Sequence, residues 1–361
     1  MGCVMTNSCP HQRTDPAKRP LVSVLMPVFN AERFVEEAAQ SVLSQSFADI
    51  ELIAIDDGST DQSKAILDRL RRHDGRVTLI SRENRGLVES LNEGIDLAGG
   101  EWIARMDADD ISLPHRFERQ LEWLDSSGAD ICGSWIKPFG GSDRRIMKYP
   151  QTDEAIKVEM LFASPFAHPT VMMRTKIARS LKYDKAWEKV EDFDLWVRAS
   201  ASRCRMANVP EVLLNYRQHE NQISTADHDR QNAAAQRILY RVAAEFSSQW
   251  RLDPGVLEQL IGLRGRNIEE VNMNSADRAA KALIERTCGE AREVIADHLA
   301  RLYFRAAGSH SRVAARWRSI WRESDYRPSM NILAALWLAG ALKIKVDSPL
   351  FNALKVRYKG F

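Results

Sequence analysis

The chain has 361 residues, of which 44% are hydrophobic and 28% are charged, and its formal net charge is +2. This composition is ordinary for a globular protein, and the length predicts one large or two unequal domains. The nearly balanced charge argues against nucleic acid as a partner, because nucleic-acid-binding domains carry a marked basic surplus.

The first 20 residues are polar and contain no apolar segment of the kind found in a secretory signal peptide. They predict a disordered lead-in, and the alternative that Cys3, Cys9 and His11 bind a metal ion is less favoured. The five cysteines of the chain are scattered and form no CxxC pair, which favours reduced thiols. We therefore expect a cytoplasmic protein.

Hydrophobic patterning in the first hundred residues predicts strands that alternate with helices. The strands are predicted at Leu21–Phe29, Ile50–Ile55, Val77–Ile80 and Trp102–Met106, and the helices after Asn30, at Gln62–Arg71 and around Leu87–Ile95. Asn30 is expected to cap the first of these helices. Such alternation predicts an α/β fold with an open, mainly parallel, doubly wound sheet.

Polar and special residues follow each of these four strands. They are Val28–Asn30, Asp56–Gly58, Arg82–Gly86 and Asp107–Asp110. In a doubly wound sheet, ligands bind beyond the carboxyl ends of the strands. The sequence therefore predicts a nucleotide-type site at this edge, although it contains neither GxGxxG nor a P-loop motif.

The fourth strand ends in three carboxylates, Asp107, Asp109 and Asp110. Carboxylates held close together repel one another, and a divalent cation turns that repulsion into attraction. The alternative is a solvated acidic turn in which Asp110 caps a helix. Because four strand ends carry polar residues independently, we favour a nucleotide site with a metal ion.

The rest of the chain divides into a continuation of the α/β region and a helical segment. Further elements are predicted as a helix with Phe117, Leu121 and Leu124, a strand at Asp130–Trp135, a helix at Glu154–Phe162, a strand at Thr170–Arg174, a helix after Glu191 and a strand at Glu211–Leu214. From about Ala226 strand signals vanish and helical spacing dominates. We predict an α/β domain at residues 21–225 and an all-α extension at residues 226–361.

The apolar run Ile332–Leu342 in this extension is followed by Lys343 and Lys345. It is well short of the roughly 20 apolar residues that span a bilayer. A buried helix of the extension is favoured, and a segment that lies in the membrane interface, flanked by basic residues, is the alternative.

Five motifs, taken together, resemble glycosyltransferase family 2. They are Val22–Asn30, Glu51–Asp61, Asn84–Gly86, Gly100–Asp110 and Glu191–Arg198, in the order and spacing of that family. The resemblance covers roughly residues 20 to 225. It implies the GT-A fold for this region and leaves the helical extension unexplained.

The resemblance also implies a binding site for a nucleotide sugar. The base and ribose pocket is expected to include Pro27, Val28, Phe29, Asn30 and Glu32. Asp56 or Asp57 is expected to accept a hydrogen bond from the base, most often uracil, and Arg85 to help hold the nucleotide. Asp109 is the first choice as ligand of Mn²⁺ or Mg²⁺. Asp107 is expected to contact the ribose or support the metal ion, and Asp110 to be structural.

On the acceptor side, the resemblance implies that Asp192 is the general base. One-step displacement by the deprotonated hydroxyl inverts the anomeric centre. Asp194 is the fallback base, and Glu191 is expected to contact the acceptor or cap a helix. Trp196 is considered for stacking on a sugar, with a core position as the favoured alternative. His168 and His219 are placed near the donor or acceptor, with structural roles favoured for His219.

The predicted function is single-sugar transfer from a nucleotide sugar, expected to be a UDP-sugar, to a glycan or lipid-linked acceptor in cell-surface polysaccharide synthesis. Processive relatives carry transmembrane helices and a Gln-x-x-Arg-Trp motif, and this sequence shows neither. We expect a cytoplasmic enzyme with possible peripheral contact at the inner face of the membrane. The alternatives are a sugar nucleotidyltransferase, which needs a glycine-rich basic loop after the first strand, and a non-catalytic nucleotide-sugar sensor or scaffold.

Overall fold

The computed structural model describes residues 19–142, 144–219, 228–251, 253–265, 267–322, 330–346 and 348–351. Nearly all of the lead-in predicted at residues 1–20, including the less favoured metal ligands Cys3, Cys9 and His11, lies outside these ranges. The predicted boundary between the two domains, at residues 225 and 226, also lies outside them.

Eight strands form one sheet within the described ranges. They are β1 (Val22–Val28), β2 (Ile50–Asp57), β3 (Val77–Arg82), β4 (Trp102–Arg105), β5 (Ile111–Ser112), β6 (Ile131–Phe139), β7 (Met172–Arg174) and β8 (Met206–Arg217). Their order across the sheet is β3-β2-β1-β4-β7-β6-β8-β5. The four strands predicted first, β1 to β4, are mutually parallel, while β7 runs antiparallel to both β4 and β6. The expected α/β fold with a mainly parallel sheet is confirmed.

Helices connect and flank these strands. In the α/β region they are α1 (Val35–Leu43), α2 (Ser63–His73), α3 (Leu87–Leu97), α4 (Arg116–Ser127), α5 (Asp153–Glu159), α6 (Thr175–Leu181) and α7 (Glu191–Ala201). In the carboxyl-terminal region they are α8 (His228–Trp250), α9 (Pro254–Gly262), α10 (Met273–Glu285), α11 (Gly289–Ala306), α12 (Val313–Ile320) and α13 (Met330–Ala341). The predicted helical character of this region is confirmed.

Alternate residues of the central strands enter two separate cores. Leu25 and Ile53 pack with α3 on one face of the sheet, whereas Val24 and Leu52 pack with α1 and α2 on the other. A strand with both faces covered is apolar at consecutive positions, because successive side chains point in opposite directions. This explains the nearly continuous apolar character that predicted β1.

The helical extension shares its core with the α/β domain. Leu25 and Ile156 belong to the same buried cluster as Leu299 of α11 and Leu336 of α13. Glu290, at the start of α11, accepts hydrogen bonds from the backbone amides of Gln151 and Thr152 at 2.7 and 2.8 Å. The extension is therefore packed against the sheet domain through apolar and polar contacts.

Two details of the sequence interpretation need correction or completion. Asn30 does not cap α1, because the helix begins at Val35, and Asn30 adopts a left-handed conformation with φ of 50°. The apolar run near the carboxyl end forms α13, which has both a buried and an exposed side. Leu336 is buried, but the side chains of Met330 and Trp337 are 74% and 66% exposed. Across the described residues, no helix combines the length and apolar character needed to cross a membrane.

Candidate active site

The acidic motif lies at the carboxyl end of β4, in the middle of the sheet. One ligand oxygen from each of Asp107, Asp109 and Asp110 lies within 4.8 Å of the others. β4 is buried between β1 and β7, so the chain emerges from the core directly into this cluster. Pairing of the short strand β5 with β8 then fixes the chain on the far side of the motif.

Asp110 is the most buried of the three carboxylates. Its Oδ1 accepts a hydrogen bond from the backbone amide of Arg217 at 2.8 Å, and its Oδ2 has no partner among the described residues. Burial, followed by the charges of Asp107 and Asp109, raises the pKa of Asp110 well above its ordinary value. This position agrees with the structural role expected for Asp110.

Asp107 and Asp109 are partly exposed at the edge of the cluster. Asp107 forms an ion pair with Arg105. Burial raises the pKa of Asp107, the positive charge of Arg105 opposes that shift, and Asp109 adds to it. Asp109 Oδ2 lies 2.9 Å from Nε2 of His219, whose ring packs against Phe34 with 5.0 Å between centroids.

These residues fit a hard divalent cation. Three carboxylates converge, two of them raise the pKa of the third, and one buried oxygen of Asp110 has no partner within the described chain. Oxygen-rich sites of this kind suit Mg²⁺ or Mn²⁺, which retain waters and bind one or two protein carboxylates together with substrate phosphates. Asp109 and Asp107 are placed at the accessible edge, as a site shared with a substrate requires.

The loops that follow β1 and β2 are joined by hydrogen bonds of Asn30 and Glu32. Asn30 Oδ1 accepts from the amide of Thr60 at 2.8 Å, and the Asn30 amide donates to Ser59 Oγ at 2.9 Å. Glu32 Oε2 accepts from the amide of Gln62 at 2.9 Å. Both residues therefore hold together the two loops at the carboxyl ends of β1 and β2, where the nucleotide site is predicted. Their contact with a ligand stays a prediction.

Asp56 and Asp57 are buried at the end of β2. Asp56 accepts hydrogen bonds from Ser81 Oγ at 2.8 Å and from the Ser59 amide at 3.2 Å. Asp57 accepts from the amides of Arg85 and Gly86, at 2.8 and 2.9 Å. Asp57 thus holds the loop that carries Arg85, and the contact of Asp56 or Asp57 with a base stays a prediction.

The remaining donor-site candidates lie at the same sheet edge. Pro27 and Val28 end β1, and Val28 is buried beneath the edge. Phe29, which follows β1, is 53% exposed. Arg85 is also exposed. Their positions are compatible with a nucleotide pocket, and their roles stay predictions.

The predicted base lies in the first turn of α7. Asp192 is partly exposed, whereas Glu191 beside it is buried. Burial, then repulsion from Asp192, raises the pKa of Glu191 to about 7. Burial also raises the pKa of Asp192, while the backbone amide of Phe193 and the charge of Arg105 oppose the shift. A carboxylate with a raised pKa is better matched to accepting a proton near neutral pH.

Asp194, the fallback base, has a different environment. Its side chain is 1% exposed, and its two oxygens accept hydrogen bonds from Arg198 Nε at 2.7 Å and Arg241 Nη1 at 2.9 Å. Arg241 belongs to α8 of the extension and also lies over the ring of Trp187. Asp194 therefore ties α7 to the extension, and this contact argues against its acceptor and base roles.

The structure corrects the sugar-stacking role considered for Trp196. The side chain is 0% exposed and packs edge-on against Phe166 and His168. Trp196 is therefore a core residue. His168 lies between this core and the site, and its Nε2 is 2.8 Å from the Tyr183 hydroxyl. Burial, then the charge of Arg105, holds the pKa of His168 well below its ordinary value, so the ring is neutral.

Two arginines in the site were not identified from the sequence. Arg105 ends β4 and pairs with Asp107, and the guanidinium Nε of Arg217 donates to the backbone carbonyl of Asp109 at 2.6 Å. Arg105 could have been found from its place between an apolar strand and an acidic motif. Arg217 carries no local signal, because it lies over 100 residues away in sequence from the aspartates that it contacts.

A mainly parallel sheet with an acidic cluster at the carboxyl end of its central strand β4, together with a partly exposed carboxylate in the first turn of α7, is the arrangement of an enzyme with the GT-A glycosyltransferase fold. Solved structures support the fold. The chain of Staphylococcus aureus TarS 1–349, solved in complex with UDP-GlcNAc, matches with a TM-score of 0.54 at 16% identity over 88% of this chain and 92% of that one.

Sequence comparisons identify the family. The profile described as Glycosyl transferase family 2 matches residues 23–182. An uncharacterized glycosyltransferase of Haemophilus influenzae is 32% identical over 70% of this chain and 82% of its own length. The putative glycosyltransferase EpsE of Bacillus subtilis is 36% identical over 55% of this chain and 73% of its own length. The chain belongs to glycosyltransferase family 2 and is a transferase.

An Escherichia coli relative has a more specific name. It is a UDP-Gal:alpha-D-GlcNAc-diphosphoundecaprenol beta-1,3-galactosyltransferase, 31% identical over 55% of this chain and 74% of its own length.

Proposed function

We propose that the chain transfers one sugar from a UDP-sugar to a hydroxyl group of a glycan or lipid-linked acceptor, with inversion at the anomeric carbon. The observation that carries the proposal is that three carboxylates converge within 4.8 Å at the carboxyl end of β4 in a chain of glycosyltransferase family 2. In this proposal the donor diphosphate binds at the cluster and the acceptor hydroxyl binds at Asp192.

In this proposal Asp192 removes the proton from the acceptor hydroxyl as its oxygen attacks C1 of the donor sugar. The bond between C1 and the diphosphate oxygen breaks, its electron pair leaves with UDP, and the proton stays on Asp192. Attack from the face opposite the leaving group inverts C1. Asp109, supported by Asp107, would hold the Mn²⁺ or Mg²⁺ ion, whose chemistry is to neutralise charge on the departing diphosphate.

The acceptor and the cellular location are extensions of the same proposal. The named Escherichia coli relative supports a UDP-linked donor and a lipid-linked acceptor, and so a role in cell-surface polysaccharide synthesis. We place the enzyme in the cytoplasm, with peripheral contact at the inner face of the membrane. The exposed side chains of Met330, Trp337 and Leu342 next to Lys343 and Lys345 support that contact.

Thermal unfolding tests the donor class. A ligand that binds only the folded chain raises the unfolding midpoint by mass action. We expect UDP or a UDP-sugar, in the presence of Mn²⁺, to raise it more than GDP, ADP or Mn²⁺ alone. An absence of any nucleotide-dependent shift would contradict the proposal. Binding of a UDP-sugar without hydrolysis or transfer would instead favour the nucleotide-sugar sensor.

A further inference from the structure

Arg105 is a buried cation at the centre of the site. Its side chain is 6% exposed at the end of β4, its amide donates to the Val171 carbonyl at 2.8 Å, and its carbonyl accepts from Arg116 Nη2 at 2.8 Å. The backbone is thus held on both sides. Its guanidinium pairs with Asp107, one of the two partly exposed members of the acidic cluster.

The guanidinium of Arg105 is not fully satisfied. Its Nη1 forms the ion pair with Asp107 Oδ2, whereas its buried Nε has no hydrogen-bond partner within the described chain. The neighbouring Arg116 provides a contrast, because it donates to Gln120 Oε1 at 3.0 Å and to the Arg105 carbonyl. Buried donors without partners are costly, and proteins rarely retain them without a functional reason.

The charges around Arg105 come from both halves of the site. On the sheet side they are Asp107 and Asp110, and burial alone would lower the pKa of Arg105, but these carboxylates raise it. On the side of α7, the charge of Arg105 favours ionisation of Glu191 and Asp192. Glu191 Oε2 is itself buried without a partner in the described structure.

We propose that Arg105 is a positioning residue that holds Asp107 of the acidic cluster in place through a buried ion pair. The proposal rests on the proposed function and deepens it. Arg105 orients Asp107 by its ion pair, and its positive charge also favours ionisation of Glu191 and Asp192 on α7. It acts through these groups and does not itself touch the substrate.

Two substitutions separate the charge of Arg105 from its shape. Arg105→Gln removes the charge and the ion pair, whereas Arg105→Lys keeps the positive charge but replaces the planar guanidinium group with an ammonium group. Arg174→Gln is the matched control. Arg174 ends β7 beside Trp102, at the amino end of β4 and away from the acidic cluster, and it pairs with Glu101 and Asp130. Circular dichroism and thermal unfolding establish that each variant is folded.

The first readout is binding of UDP with Mn²⁺ by calorimetry. Loss of a residue that orients a metal ligand typically weakens metal binding or activity by about 10- to 100-fold. We expect Arg105→Gln to weaken Mn²⁺-dependent UDP binding by about tenfold or more, within that range, and to leave UDP binding without Mn²⁺ nearly unchanged. Arg105→Lys should be intermediate, and Arg174→Gln should match the wild type.

The second readout is the pH dependence of UDP-sugar hydrolysis, which a purely structural residue would not alter. Removing the cation should move the acidic limb of the kcat profile of Arg105→Gln to higher pH, because ionisation on α7 then lacks its support. Tyr149 and Tyr183 are the other titratable groups that interact with Glu191 or Asp192, Arg198 lies near Tyr183, and His168 interacts with Arg105. The Arg174→Gln profile should not move.

The outcomes separate this inference from the proposed function. If the wild type does not bind UDP with Mn²⁺, the proposed function fails and the inference fails with it. If the wild type binds but both folded Arg105 variants keep its affinity and pH profile, only the role of Arg105 is overturned. Should Arg105→Gln not fold, wild-type behaviour of Arg105→Lys in both readouts overturns it equally.

Discussion

Replacing Asp192 with asparagine removes the proposed base while it preserves the shape of the side chain. Asp192 is partly exposed in the first turn of α7, so asparagine fits without a change in packing. The loss of one negative charge near a helix amino terminus costs about 0.3–1 kcal/mol. Relief of the repulsion with Glu191 opposes that cost. We therefore expect a folded protein with nearly unchanged stability.

The effect on turnover should be much larger than the effect on stability. A positioned general base contributes about 10²- to 10⁴-fold to rate. At 1.36 kcal/mol for each tenfold change, this corresponds to about 3–5 kcal/mol in the barrier. Donor binding should stay within about twofold of the wild type, since a group that acts only in the transition state changes kcat and not ground-state binding.

The assay is sugar transfer, or UDP-sugar hydrolysis with water as acceptor, measured between pH 5 and 9 together with calorimetric binding of UDP. Wild-type activity should fall as the pH is lowered, because the pair on α7 then binds a proton. Burial raises the pKa of Asp192, and burial together with repulsion from Asp192 raises the pKa of Glu191 to about 7. Asp68→Asn on α2 is a matched control, because it loses only a surface pair with Arg71. Retention of more than about a tenth of wild-type kcat by Asp192→Asn would refute the base assignment.

Three further predictions test other parts of the molecule. Asp109→Ala should weaken UDP binding only when Mn²⁺ is present, and unchanged affinity in calorimetry would remove Asp109 from the metal site. Asp194→Asn should destabilise the fold by about 3 kcal/mol in urea unfolding, because it breaks a buried carboxylate's pairs with Arg198 and Arg241, whereas a change below about 1 kcal/mol would contradict that role. Trp337→Glu should reduce flotation with anionic vesicles without altering stability, because the ring is 66% exposed, and undiminished flotation would argue against membrane contact through α13.

The organisation of the sheet edge could be predicted because its signals are local. Each of the first four strands is a short apolar run with polar residues at its end, and parallel strands place those ends together. Asp107, Asp109 and Asp110 are adjacent in sequence, so their convergence within 4.8 Å follows from chain connectivity. The position of Asn30 was misread because its left-handed conformation serves a link to Thr60, which hydrophobic periodicity does not encode.

The sequence by itself determined the α/β alternation, the helical extension and the residues that gather at the carboxyl edge of the sheet, because each depends on patterns within a few residues. Only the tertiary structure decided that Trp196 is a core residue, that Asp194 joins α7 to the extension, and that Arg217 secures the acidic cluster. Burial and pairing of charges depend on partners distant in the chain. The antiparallel pairing of β7 with β4 was also decided by the tertiary structure, because the direction of a strand depends on the path of the chain between the two strands.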